Sequence, residues 1–118
     1  MDLTDKNTLV RLLKKYNLWA RKAFGQNFLT DSEVIEDLIK AADLSREDTV
    51  IEIGPGVGAI TRELLQRASR VIAVEKDERA VPILKETTSE FSNLEIVVSL
   101  LPSLRRGAVH VVAQATSP

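Results

Sequence analysis

Cysteine is absent from the 118 residues, which excludes disulfides, thiolate metal sites and cysteine nucleophiles. That composition fits a reducing compartment. Aromatic residues make up only 4%, so any core must be built from Val, Ile, Leu and Ala. No apolar run approaches the roughly 20 residues needed to span a bilayer. Met1-Asp2-Leu3-Thr4-Asp5 has neither the basic start nor the apolar stretch of a secretory leader. A cytoplasmic protein is therefore expected. The single histidine, His110, has no neighbour that suggests a ligand set or a base, and no metal site is expected.

Negative charge is missing from one long stretch. Lys6, Arg11, Lys14, Lys15, Arg21 and Lys22 fall between Lys6 and Thr30 with no acid among them, although the whole chain has a net charge of −1. A solvated helix face explains such a run. So does a phosphate-contacting arm, because clustered cations bind nucleic acid by releasing its condensed counterions. Arg11, Lys14, Lys15, Arg21 and Lys22 are the candidate RNA contacts.

Two helices open the chain. Thr4 or Asp5 caps the first, which carries Leu9, Leu12, Leu13 and Tyr16 at helical spacing and stops at Asn17. Residues 18–29 show no period and read as an ordered loop, where Trp19 and Phe24 suit packing better than base stacking. Thr30 or Asp31 caps the second helix, with Val34, Ile35, Leu38, Ile39 and Ala42 as one apolar stripe that fades at Asp43.

An alternating pattern follows. Thr49 to Ile53 reads as a buried strand, Ala59 to Ala68 as a helix, and Arg70 to Val74 as a strand closed by Glu75. Asp77 caps a helix to about Thr88 with Pro82 near its first turn, and Leu94 to Val98 is a third strand. Strand, helix, strand, helix, strand predicts an α/β, Rossmann-like fold with a parallel sheet. A short run at Val109–Ala113 offers a fourth strand. The organisation expected is an N-terminal arm and loop over 1–30, a ligand-binding half-domain over 31–98, and a divergent tail over 99–118.

The chemistry concentrates at Glu52-Ile53-Gly54-Pro55-Gly56-Val57-Gly58-Ala59. Glycines in a strand-to-helix turn let backbone approach a ligand, and the next helix begins with free N–H groups. Glu75 ends the second strand 21 positions after Gly54, where a carboxylate can accept both hydroxyls of a ribose. The pair describes an adenine-nucleoside site and disfavours a ribose carrying a 2′-phosphate. Gly54-x-Gly56-x-x-Ala59 also satisfies the relaxed dinucleotide fingerprint, so the loop alone leaves NAD and S-adenosylmethionine open. Two features favour the latter. Glu52 is a carboxylate inside an apolar strand, costly unless it serves the ligand or braces the loop. Residues 21–29 precede the first strand, and a dehydrogenase domain has no use for them.

Phe24-Gly-Gln-Asn-Phe-Leu, the capped helix, Ile51-Glu-Ile-Gly-Pro-Gly-Val-Gly-Ala-Ile-Thr-Arg-Glu-Leu64 and Val71-Ile-Ala-Val-Glu-Lys-Asp77 together resemble the rRNA adenine N6,N6-dimethyltransferases. The likeness runs over about residues 1–98, and the basic first helix is similar to the arm of the small-subunit enzymes. It implies a class I methyltransferase fold, S-adenosylmethionine as cofactor, and rRNA of the small ribosomal subunit as partner. It also implies that Asn27 and Leu29 contact the methionine part of the cofactor, with Gln26 supporting the loop. Gly54 and Gly56 would lie against the same region, and Glu75 would hold the ribose.

The tail departs from the family. Ser99-Leu100 stands where these enzymes carry Gly-Asp, whose Asp bonds the adenine of the cofactor. No Asn-Leu-Pro followed by Tyr or Phe appears, since Gln114-Ala115-Thr116 follows the last apolar run. In the family that motif accepts the hydrogens of the target amine and stacks on the extruded base. The tail from about Ser99 reads as the product of a shifted frame, no catalytic residue is assigned, and this chain alone is expected to be inactive. Without a secure fourth strand, Thr49–Ile53 would expose an edge and invite self-association.

Overall fold

A computed structural model describes residues 1–18, 32–99 and, as backbone, 109–113. Arm residues Arg21 and Lys22, the loop residues Trp19, Phe24, Gln26, Asn27 and Leu29, the Thr30 and Asp31 caps, and most of the tail lie outside the described residues.

Four parallel strands form one sheet: β1 (Thr49–Ile53), β2 (Arg70–Glu75), β3 (Leu94–Val98) and β4 (Val109–Ala113), in the order β3-β2-β1-β4. The α/β, Rossmann-like expectation holds. β4 pairs with β1 from Thr49↔Val109 to Ile53↔Ala113, so the edge of β1 is covered along its length. The self-association expected through that edge therefore loses its basis.

Helix α1 (Lys6–Lys15) begins where Asp5 accepts a hydrogen bond from the Thr8 backbone N–H, and Lys14 and Lys15 close it. Those cations sit where carbonyl ends favour positive charge. Asn17 follows with a φ of 58°, a left-handed stop that asparagine tolerates. Helix α2 (Ser32–Ala42) buries only Ile35 and Ile39 of its five-residue stripe. Val34 and Leu38 are exposed, a correction to the wider stripe expected. Helix α3 (Ala59–Arg67) buries Ile60, Leu64 and Leu65. Asp77 caps a 3₁₀ turn, Glu78–Ala80, that continues into α4 (Val81–Thr87) with Pro82 in its first turn.

Alternate strand residues share a sheet face. Val50 of β1 and Val71 of β2 meet Ile35, Ile39, Ile60, Leu64 and Leu65 in one apolar cluster. Ile51, Ile72 and Val74 gather on the opposite face. A third cluster joins Leu9, Leu12 and Leu13 of α1 to Ala80, Ile83 and Val57. Val57 belongs to the glycine loop, so α1 backs that loop directly.

A polar clamp reinforces this docking. Glu86 Oε1 accepts from Lys15 Nζ at 2.5 Å and from the Tyr16 hydroxyl at 2.6 Å. The hydrogen bond to Glu86 raises the Tyr16 pKa above its ordinary value, with burial adding to the shift. The bonds from Lys15 and Tyr16 hold the Glu86 carboxyl below the usual carboxylate range. The signs set a pH window. A raised tyrosine pKa contributes stability that is present below about pH 10 and lost above the folded value, and a lowered carboxylate contributes stability lost as pH falls through its folded value. Tyr16 is the sole tyrosine. The tyrosinate absorbance is expected to titrate above pH ~10 and to move back toward that value in Glu86→Gln. An unmoved midpoint would mean that the clamp does not form in solution.

Candidate functional site

The C-terminal ends of all four strands share one edge of the sheet. From β1 the chain crosses to β2 on one side, while β4 returns on the other. That reversal is a topological switch point, where open α/β sheets leave a crevice for ligands. Gly54 to Gly58 occupies it.

Three glycines give the loop its path, with φ values of 72° at Gly54, 57° at Gly56 and 95° at Gly58. All lie where a side chain is disfavoured. The Gly54 N–H donates to the Val74 carbonyl at 3.0 Å, fastening the loop entrance to β2. The Gly58 N–H donates to the Pro55 carbonyl at 2.9 Å, closing a turn, and the Arg62 N–H donates to the Gly58 carbonyl at 3.0 Å as α3 begins. Pro55 and Val57 point into the core. Around Gly56 the space is open: a Cβ built there meets nothing within 4 Å among the described residues. Backbone at Gly56 is thus accessible to a ligand, whereas Gly58 is enclosed.

Register places Glu75 beside this loop. Ile53 pairs with Val74, so Gly54 and Glu75 follow at neighbouring strand ends, and parallel strands run about 4.8 Å apart. Glu75 is 5% exposed, and its Oε2 accepts the Asp77 N–H at 2.8 Å. The Glu75 carbonyl accepts the Ser99 N–H at 2.9 Å, which brings Ser99 to the same edge.

Glu52 lies deeper. It is fully buried and accepts a hydrogen bond from the Thr61 hydroxyl on α3. The carboxylate therefore joins the strand before the loop to the helix after it. Of the two roles expected for Glu52, bracing the loop is the one this contact serves. Thr61 was not foreseen; its signal was a hydroxyl next to Ile60 on the inward side of α3. Thr87 was also missed. Its hydroxyl donates to the Val57 carbonyl at 2.7 Å from thirty positions away, a separation no local pattern reveals.

Gly54, Gly56, Glu75 and Glu52 are thus brought together. Gln26, Asn27 and Leu29 lie outside the described residues. Of the basic arm, Arg11, Lys14 and Lys15 are exposed on α1, with Lys15 held by Glu86. Among the described residues, no three His, Cys, Asp or Glu side chains gather as a metal site, and no helix is long and apolar enough to cross a membrane.

Residues 17–99 match the family described as ribosomal RNA adenine dimethylase. The match ends at Ser99, and α1 precedes it. The chain is 50% identical over 86 residues to ribosomal RNA small subunit methyltransferase A of Clostridium botulinum, covering 73% of this chain and 31% of that protein. Its fold is similar to a dimethyladenosine transferase from Plasmodium falciparum, with TM-score 0.65 and 26% identity, over 72% of this chain and 32% of that one. It is also similar to the 23S rRNA methyltransferase ErmE, with TM-score 0.62 and 37% identity, over 68% of this chain and 33% of that one. The chain spans about a third of the length of the curated relatives it matches. Its fold is that of the class I methyltransferases.

Proposed function

The chain belongs to the ribosomal RNA adenine dimethylase family, and on that premise we propose that it forms the S-adenosylmethionine-binding part of an enzyme methylating adenine N6 in ribosomal RNA. The observation that carries this reading is the glycine loop at the switch point, with Glu75 at the neighbouring strand end. The residues present fit such a ligand: the space at Gly56 is open, and the Glu75 carboxylate ends the strand beside it. Family membership leaves no support for a dinucleotide oxidoreductase.

When bound, S-adenosylmethionine supplies a methyl group on a positively charged sulfur. Gly54 and Gly56 present backbone to its amino-acid portion, and Glu75 accepts the ribose hydroxyls. By family resemblance Asn27 and Leu29 would contact the methionine part, and Gln26 would support the loop. Glu52 acts one step back, tying β1 to α3 through Thr61. In-line transfer to an adenine amine then needs mainly positioning. The Asn-Leu-Pro-aromatic motif that positions the amine is not in this sequence, so the 118 residues are not expected to methylate RNA unaided. We divide the chain into an arm and loop over 1–30, a cofactor half-domain over 31–98 and a divergent tail, in a cytoplasmic protein whose partner is the small ribosomal subunit.

Calorimetry with S-adenosylhomocysteine tests the reading. Binding by the purified chain is expected, with Glu75→Ala weakening it about tenfold or more, the order for one lost charge-assisted hydrogen bond. NAD at the same concentration should give no heat. Absence of binding, or tighter binding of NAD, would overturn the cofactor assignment. Robust methylation of an rRNA fragment would overturn the expected inactivity.

A non-catalytic RNA-binding role is the second reading, favoured by the exposed Arg11 and Lys14 on α1. Its mark is RNA affinity that falls with salt and weakens when both cations are neutralised.

A further inference from the structure

Thr87 and Thr88 close α4 side by side, and their hydroxyls behave differently. The Thr88 hydroxyl donates to the Leu84 carbonyl at 2.6 Å, the ordinary bond of a helical threonine to its own preceding turn. The Thr87 hydroxyl lies 3.2 Å from that same carbonyl but only 2.7 Å from the carbonyl of Val57, outside its helix. It has one proton to give, and the shorter contact is to the glycine loop. Both Thr87 and Val57 are buried, so water does not readily substitute for this donor.

The neighbouring geometry fits the same role. A Cβ at Gly58 would stand 2.7 Å from Thr87 Oγ1 and 3.0 Å from Leu84 Cδ1, so the loop and the end of α4 are as close as a glycine permits. Next along the helix, Glu86 is gripped by Lys15 and Tyr16, and the Val57 side chain lies among Leu9, Leu12 and Leu13. α4 is thus fixed on one side by α1 and reaches the loop from the other.

We propose that Thr87 is a positioning residue for the glycine loop. By holding the Val57 carbonyl, it fixes the backbone between Gly56 and Gly58 in the conformation that receives the cofactor. The inference rests on the reading of this loop as the S-adenosylmethionine site. Thr87 touches no ligand itself and acts through Val57.

The test uses the full chain with Thr87→Val, which keeps the shape and removes the donor, and Thr87→Ser, which keeps the donor. Amide exchange without ligand reads the loop. Protection at Gly58, whose N–H donates to Pro55, should fall about tenfold in Thr87→Val and return in Thr87→Ser. Val71, whose N–H bonds the Asn93 carbonyl in the sheet, should be unchanged. Affinity for S-adenosylhomocysteine should follow the same order, about tenfold weaker for valine and near wild type for serine. Unaltered exchange at Gly58 in Thr87→Val would overturn the proposal, as would faster exchange with wild-type affinity. If the wild-type chain binds no S-adenosylhomocysteine, the cofactor reading fails, while the exchange result still decides whether Thr87 holds the loop. Should Thr87→Val not fold, Thr87→Ala removes the same donor without placing a methyl against Val57.

Discussion

Gly58→Ala is expected to lower stability by about 2–5 kcal/mol, and Gly56→Ala, two residues away, by about 1–2 kcal/mol. Both positions have positive φ, so both replacements bear the cost of a side chain in left-handed backbone, roughly 1–2 kcal/mol. At Gly56 that is the whole cost, because the added carbon meets nothing within 4 Å among the described residues. At Gly58 the φ of 95° lies beyond the left-handed well that non-glycine residues tolerate. The added carbon also falls 2.7 Å from Thr87 Oγ1. Relief requires Thr87 to rotate away and abandon the Val57 carbonyl, or α4 to back off from the loop, and overpacking of this kind costs about 1–3 kcal/mol more. Urea denaturation of the two variants gives the comparison. Ligand binding should show the reverse pattern: Gly56→Ala, the less destabilised of the two, places its methyl on the open face of the loop and should lose S-adenosylhomocysteine outright. Equal destabilisation by the two variants would show that the enclosure of Gly58 is not real. A Gly56→Ala protein that binds normally would show that the open face is not the ligand face.

The contrast between these two glycines also marks the boundary of what the sequence discloses. Local chemistry was legible: β-branched runs became β1 to β3, Asp5 and Asp77 became caps, and Asn17 ended α1 in a left-handed turn. The placing of Gly54, Gly56 and Glu75 at one edge of the sheet was legible because a strand-to-helix glycine turn and an acid one crossover later are short-range patterns. Val109–Ala113 was legible only as a short apolar run; its pairing along the whole of β1 was not, which is why that edge was expected to be exposed. The supports of the site were not legible. Glu86 meets Lys15 across 71 positions, and Thr87 meets Val57 across 30. A glutamate and two threonines at a helix end carry no periodic signal that would distinguish them from solvent-facing residues. Nor does helical spacing reveal how much of an apolar stripe a neighbour will cover, which is why Val34 and Leu38 of α2 were expected in the core and are exposed.

That last difference gives the second large effect. Leu64→Ala is expected to destabilise by about 2–5 kcal/mol, and Leu38→Ala by under about 1 kcal/mol. Both are leucines on amphipathic helices, and the sequence assigns both to apolar faces. Leu64 is 0% exposed and sits in the cluster where α3 closes over Val50 and Val71. Its removal loses the transfer free energy of the deleted carbons and leaves a cavity between a helix and a sheet that cannot fully collapse. Leu38 is 41% exposed, so much of its side chain already faces water and little burial is lost. Since small domains hold only about 5–15 kcal/mol in total, Leu64→Ala should lower the urea midpoint substantially, while Leu38→Ala should denature near the wild-type midpoint. The pair also tests where the core lies. The glycine loop is carried into α3 through Gly58 and braced by Thr61 on Glu52, so loosening α3 at Leu64 should weaken S-adenosylhomocysteine binding even where the chain remains folded. Leu38→Ala should leave binding intact. A Leu38→Ala loss equal to that of Leu64→Ala would mean that α2 buries its whole stripe in solution and that the sequence pattern had described it correctly.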